Sequence, residues 1–213
     1  MAMIRSSPFR PRLPSAPGAT VIGIMGGSFD PPHAGHAHVI ATARRAAGLD
    51  VVWVLVSPGN PLKTTQTPLI TRLRAAHSRL GGRRTLVSDI ESTLGTRFTV
   101  DTLRRIRKLA PRARFVWIMG ADNLAGFHRW KDWRSLARLA PILVVARPGA
   151  HPKAGLSRFA RVFSASRLPQ RSARLLAHRQ PPCWVYVTAP LNPLASSQIR
   201  DQLAKVSLET RKS

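Results

Sequence analysis

Short apolar runs rich in β-branched residues recur along this chain and alternate with segments of helical periodicity. That alternation restricts the fold more than any other feature. The runs cover residues 20–25, 51–56, 84–88, 114–119, 142–146 and 184–187. They are continuous rather than alternating, the pattern of strands covered on both faces, as in a parallel sheet. Between them, residues 35–47 are Ala-rich, and 69–80 place Leu69, Leu73, Ala76 and Leu80 on one helical face. Residues 99–109 repeat the pattern with Val100, Leu103, Ile106 and Leu109. Strand and helix in steady alternation predict an α/β domain with a doubly wound, mostly parallel, Rossmann-like sheet. From 149 to 182 the pattern weakens into a basic, Pro-containing stretch that reads as mostly irregular, with one helix at 171–178. The organisation expected is a flexible basic arm over 1–19 and a single domain over 20–213.

Composition narrows the class. With 34 Lys+Arg against 9 Asp+Glu in 213 residues the formal charge is +25, so phosphate of any kind is attracted. Residues 133–200 contain no carboxylate at all. A hydrophobic content of 44% supports a real core and excludes wholesale disorder. The lone Cys183 excludes a disulfide framework and a Cys-rich zinc module, and it fits a reducing, cytoplasmic setting. No stretch reads as a membrane span, because the longest uncharged run, 180–199, holds Pro181, Pro182, Pro190 and Pro193. The N-terminus carries Arg5, Arg10 and Arg12 among prolines and lacks the apolar core of a secretory signal, leaving a disordered arm or a transit peptide.

Ligands of doubly wound sheets bind beyond the carboxyl ends of the strands, so the loops that follow strands matter most. After the first run comes Gly26-Gly27-Ser28-Phe29-Asp30-Pro31-Pro32-His33-Ala34-Gly35-His36. Gly26 and Gly27 allow the backbone a close approach, since no Cβ intervenes. His33 and His36 lie three apart at a helix start and share one face. Imidazole donors with helix N-terminal amides suit the stabilisation of charge on a phosphate. The loop is neither a Walker loop nor a G-x-G-x-x-G fingerprint. Two other readings stay open: a zinc site using His33, His36 and His38, or histidines that merely begin a helix. Near the end of the chain, Ser196, Ser197, Ile199 and Arg200 read either as an N-cap or as a second phosphate cradle. Asp122, just beyond the run at 114–119, is placed to bind a ribose hydroxyl or to cap a helix.

With both motifs in hand, residues 20–206 resemble the H/T-x-G-H nucleotidyltransferase superfamily. His33-Ala34-Gly35-His36 is similar to its first motif, and Ser196-Ser197-Gln198-Ile199-Arg200 to its second. Gly120–Leu124, Phe127–Trp133, Arg97–Leu103 and Ala146–Gly149 are similar to the nicotinate-nucleotide adenylyltransferase branch. The resemblance implies a nucleotidyltransferase fold that transfers adenylate from ATP to nicotinate mononucleotide, giving deamido-NAD and pyrophosphate in NAD biosynthesis. It implies catalytic roles for His33, His36 and Arg200. It implies ATP or phosphate contacts from Gly26, Gly27, Ser28, Phe29, Lys63, Ser196, Ser197 and Ile199. For the mononucleotide it implies Trp130 stacked on the pyridine, amides near Thr99 and Lys131 holding its carboxylate, and Asp122 and Arg147 nearby. Taken alone, Trp130 and Trp133 also read as core residues, and Lys63 as a solvated loop lysine. Mg²⁺ is expected to arrive with ATP, and no metal site is assigned to the chain itself. Ala195 and Phe98 depart from the family pattern, which often has a hydroxyl residue and a tyrosine there. The alternatives are another phosphorylated acceptor, such as phosphopantetheine, or a basic nucleic-acid-binding protein. Oligomeric state is left open.

Overall fold

The structure, a computed structural model, describes residues 20–59, 67–146 and 157–188. Seven strands form one sheet: β1 Val21–Gly27, β2 Val51–Val56, β3 Thr85–Ser88, β4 Arg114–Gly120, β5 Ile142–Val145, β6 Arg167–Leu168 and β7 Trp184–Val187. Their order is β3-β2-β1-β4-β5-β7-β6, and every pairing between them is parallel. The order reverses between β1 and β4, which puts the switch point of the sheet at the end of β1. The doubly wound, Rossmann-like expectation is met, and the strands expected from the sequence form within a residue or two at each end.

Why the runs are continuous is visible in the packing. In β1, Ile22 and Ile24 face one apolar layer while Val21 and Met25 face the other. In β4, Phe115, Trp117 and Met119 alternate with Val116 and Ile118 in the same way. Both faces of each strand are buried, so both sets of side chains are apolar.

One layer contains α1 (Ala34–Ala47) and α2 (Leu69–Leu80), which bury Val39, Ile40, Ala43, Leu73 and Ala76. A 3-10 segment, Gln170–His178, adds Ala173 and Leu176 beside α1. The other layer is built from α3 (Ile90–Leu94), α4 (Thr99–Leu109), α5 (Ala121–Gly126), α6 (Trp133–Leu139) and α7 (Arg158–Val162). Gly48 ends α1 at φ 62°, a left-handed backbone that favours glycine.

Two expectations need correction. The stretch 149–182 is not mostly irregular within its described part: residues 157–182 hold α7, a 3-10 turn at Ser164–Ser166, β6 and the longer 3-10 segment. Its helical pattern is carried by Phe159 and Ala160, and by Ala173, Leu176 and Ala177, all of them buried. The segment expected as a helix at 171–178 is a 3-10 run. The arm at 1–19 lies outside the described residues. Among the described residues no helix is long and apolar enough to cross a membrane.

Candidate active site

The β1–α1 turn lies at the switch point, and its histidines are locally ordered. His33 is the N-cap of α1 with extended backbone, and its N–H donates to Nδ1 of His36 at 3.1 Å. The two imidazoles stack with centroids 3.8 Å apart and planes tilted by 34°. Because Nδ1 of His36 accepts, the neutral ring carries its proton on Nε2, which makes that atom the donor. Both histidines do share a face, as their spacing requires.

Phe29 anchors the turn from below. It is buried, its ring lies 4.9 Å from that of His36, and its backbone sits at φ 46°, a costly conformation for an aromatic residue. Of the neighbouring glycines, Gly26 is demanded by the protein's own packing and Gly27 is closely packed. A Cβ on Gly26 would stand 2.7 Å from the Trp117 indole, and one on Gly27 would stand 3.3 Å from the Phe29 ring.

Arg72 fixes the turn against its neighbours. Although only 2% exposed, its guanidinium donates to the carbonyls of Ser28 at 2.8 Å, Ser57 at 2.9 Å, Pro58 at 3.3 Å and Thr67 at 2.7 Å. Burial pushes this guanidinium below its ordinary pKa, and the nearby Asp30 carboxylate opposes that shift. Asp30 in turn accepts from the Thr67 backbone and hydroxyl at 3.0 and 2.7 Å. One buried cation thus ties the loop after β1 to the loop after β2. Sequence reasoning missed it, though an arginine beside Leu69 and Ala76 in the apolar stripe of α2 was the available signal.

These elements border a cavity of about 500 Å³. On the β1 side it is lined by Gly26, Gly27, Ser28, Phe29, His33 and His36. On the other side stand Thr99, Asp122, Trp130 and Lys131, so these expected residues meet around one space. Glu91, Arg97, Asn123 and Arg129 also line it and were not anticipated.

Thr99 begins α4, with Phe98 as the preceding N-cap. Asp122 lies in the first turn of α5, whose N-cap is Gly120, so the capping alternative for Asp122 does not hold. Its carboxylate there favours the helix dipole. Trp130 follows the 3-10 turn Phe127–Arg129 and packs edge-on to Trp117, centroids 6.0 Å apart at 81°. Trp133 is core: it is buried and meets Phe127, Phe159 and Phe163.

Lys131 pairs with Asp101 at 3.1 Å, and its Nζ lies 4.4 Å above the Phe98 ring. Arg104 bridges Asp101 and Asp132 at 3.2 and 2.8 Å. A hydrogen bond from Ser135, then Arg104, holds the exposed Asp132 carboxyl below its ordinary pKa. These exposed pairs join the start of α4 to the Trp130 loop. Lys63, Arg147, Ser196, Ser197, Ile199 and Arg200 lie outside the described residues, as does Ala195.

A parallel doubly wound sheet with stacked histidines on the first helix, at its switch point, defines a nucleotidyltransferase-type α/β domain. A cytidylyltransferase-like family model matches residues 24–202. A protein of Ruegeria sp. (strain TM1040) named "Probable nicotinate-nucleotide adenylyltransferase" is 47% identical over 180 residues, 84% of this chain and 95% of its own. One of the same name from Caulobacter sp. (strain K31) is 46% identical, over 86% of this chain and 98% of its own. The chain belongs to the cytidylyltransferase-like superfamily and, within it, to the nicotinate-nucleotide adenylyltransferase family. The fold is shared with Plasmodium falciparum nicotinic acid mononucleotide adenylyltransferase complexed with NaAD. That match has a TM-score of 0.57 and 17% identity, covering 80% of this chain and 76% of that one.

Proposed function

We propose that the protein transfers adenylate from ATP to nicotinate mononucleotide, releasing pyrophosphate and giving deamido-NAD. The observation that carries this reading is the shared cavity. It joins the paired histidines of the β1–α1 turn to the Thr99–Trp130–Lys131 wall. Identities of 46–47% to relatives named for this reaction support it.

In this reading the acceptor phosphate attacks the α-phosphorus of ATP in line, and the bond to the leaving pyrophosphate breaks. The phosphate is already a nucleophile, so no general base is required. The work falls to positioning and charge stabilisation. Nε2–H of His36 donates to phosphate oxygens, and His33 and the first amides of α1 add to the same field. Gly26, Gly27, Ser28 and Phe29 form the nucleotide side. Lys63, Ser196, Ser197, Ile199 and Arg200 complete the phosphate contacts.

Trp130 offers an aromatic face to the pyridine ring. Amides near Thr99 and Lys131 favour a carboxylate over a neutral amide. Asp122 takes the ribose, and Arg147 the acceptor side. Among the described residues no group of three His, Cys, Asp or Glu side chains is arranged to hold a metal. In this reading Mg²⁺ enters as part of the MgATP substrate, where it offsets charge on the phosphates. The cytoplasm, where ATP and a free thiol such as Cys183 persist, is the compartment assigned.

The test is pyrophosphate release from ATP with nicotinate, nicotinamide and phosphopantetheine acceptors side by side. Preference for nicotinate mononucleotide is expected. Preference for either of the others overturns the acceptor assignment, and salt-sensitive nucleic-acid binding without pyrophosphate release overturns the reaction.

A further inference from the structure

Glu91 is a carboxyl that the mechanism above leaves unused. It is 6% exposed and lines the cavity together with Phe98 and Thr99. Its Oε1 accepts from the Thr102 hydroxyl at 3.0 Å, and Thr102 Oγ1 lies 2.8 Å from Thr96 Oγ1. Its own carbonyl accepts the Thr96 N–H at 2.9 Å, so residue 91 grips the α3–α4 connection by side chain and backbone together.

Among the described residues no cation forms an ion pair with Glu91. Asp89 immediately precedes α3, β2 has no titratable residue, and the nearest acid of α4, Asp101, is held by Arg104 and Lys131. Arg97, Asp122, Arg129 and Lys131 are further charged residues of the cavity wall, and Asp30, His33 and His36 belong to its β1 side. Burial pushes the Glu91 carboxyl up to about 7, with the Thr102 hydrogen bond pulling the other way.

We propose that Glu91 is a specificity residue of the acceptor site: its neutral carboxyl admits an anionic pyridine carboxylate beside the start of α4, and its carboxylate form repels one. The inference rests on the proposed function and assigns this chain a pH-dependent choice between anionic and neutral pyridine mononucleotides. The histidines of the β1 side serve the phosphates that both acceptors share. The acceptor phosphate titrates equally in both.

The experiment measures kcat/KM for nicotinate and nicotinamide mononucleotides from pH 6 to 8.5, in the wild type, Glu91→Gln and Thr102→Val. In the wild type the nicotinate-to-nicotinamide ratio should fall as pH rises through about 7, by up to about tenfold per pH unit above that point. The loss should appear in KM more than in kcat. Glu91→Gln keeps an acceptor for Thr102 and should flatten the ratio. Thr102→Val removes the hydrogen bond that favours the carboxylate and should move the inflection to higher pH. A ratio that titrates alike in the wild type and Glu91→Gln, or an inflection unmoved by Thr102→Val, overturns the inference alone. Absence of pyrophosphate release with both acceptors overturns the proposed function and this inference with it.

Discussion

The backbone N–H of His33 donates to the ring of His36, so the imidazole proposed to serve the phosphates also closes the first turn of its own helix. Removing it therefore has two separable effects. His36→Ala should cost about 0.5–1 kcal/mol of stability through the lost cap. It should lower turnover by about 10²–10³, the scale of losing one preorganised donor. Thermal unfolding and pyrophosphate release measure the two. Turnover within a few-fold of the wild type would sink the catalytic assignment.

Trp130 meets Phe127 at 5.3 Å and Trp117 edge-on, so part of its ring area belongs to the core and part to the cavity. Trp130→Phe should keep an aromatic face and raise KM for the mononucleotide only several-fold. Trp130→Ala should raise it about tenfold or more, since an aromatic stack contributes about 0.5–1.5 kcal/mol beyond area. KM for ATP should move much less in both. Equal loss for the two substrates would point to collapse of the loop instead.

The layers and the parallel sheet were legible because a strand buried on both faces reads as a continuous apolar run. The second layer was less so. α3 and α7 have five residues each, too short for a 3.6-residue period to register. β6 has two and forms only as the partner of β7. At the site, Gly26 and Gly27, read as room for a ligand, line the cavity, and Trp117 and Phe29 also pack against them. Those contacts join residues far apart in sequence or set by an unusual φ, which spacing does not encode. Arg72 and Glu91 escaped for a related reason: each acts through burial, which only the assembled layers supply.

Burial of Glu91 also makes stability depend on pH. Its folded pKa, about 7, is raised above its ordinary value, so the native state binds the proton more tightly than the unfolded chain. The sign follows: the Glu91 contribution to stability is fully present below the ordinary carboxylate range, declines as pH rises, and is lost once pH passes about 7. Glu91→Gln should therefore gain up to about 3 kcal/mol relative to the wild type at pH 8 and little at pH 4.5. Denaturant unfolding at the two pH values checks this. A gain that does not change with pH would show that the carboxyl does not titrate in this range.

Gly26 and Trp117 allow packing and ligand approach to be told apart. Trp117 is buried, and its Nε1 has no hydrogen-bond partner among the described residues, so Trp117→Phe breaks no hydrogen bond described there while removing the atom nearest the Gly26 position. Gly26→Ala alone should cost about 1–3 kcal/mol, because the new Cβ meets a side chain held in the core. With Trp117→Phe already present the same change should cost clearly less, a coupling of about 1 kcal/mol or more. Activity then decides the second question. If the backbone at 26 must also approach the nucleotide, the double variant recovers stability but keeps a raised KM for ATP. If stability and KM recover together, the glycine serves Trp117 alone.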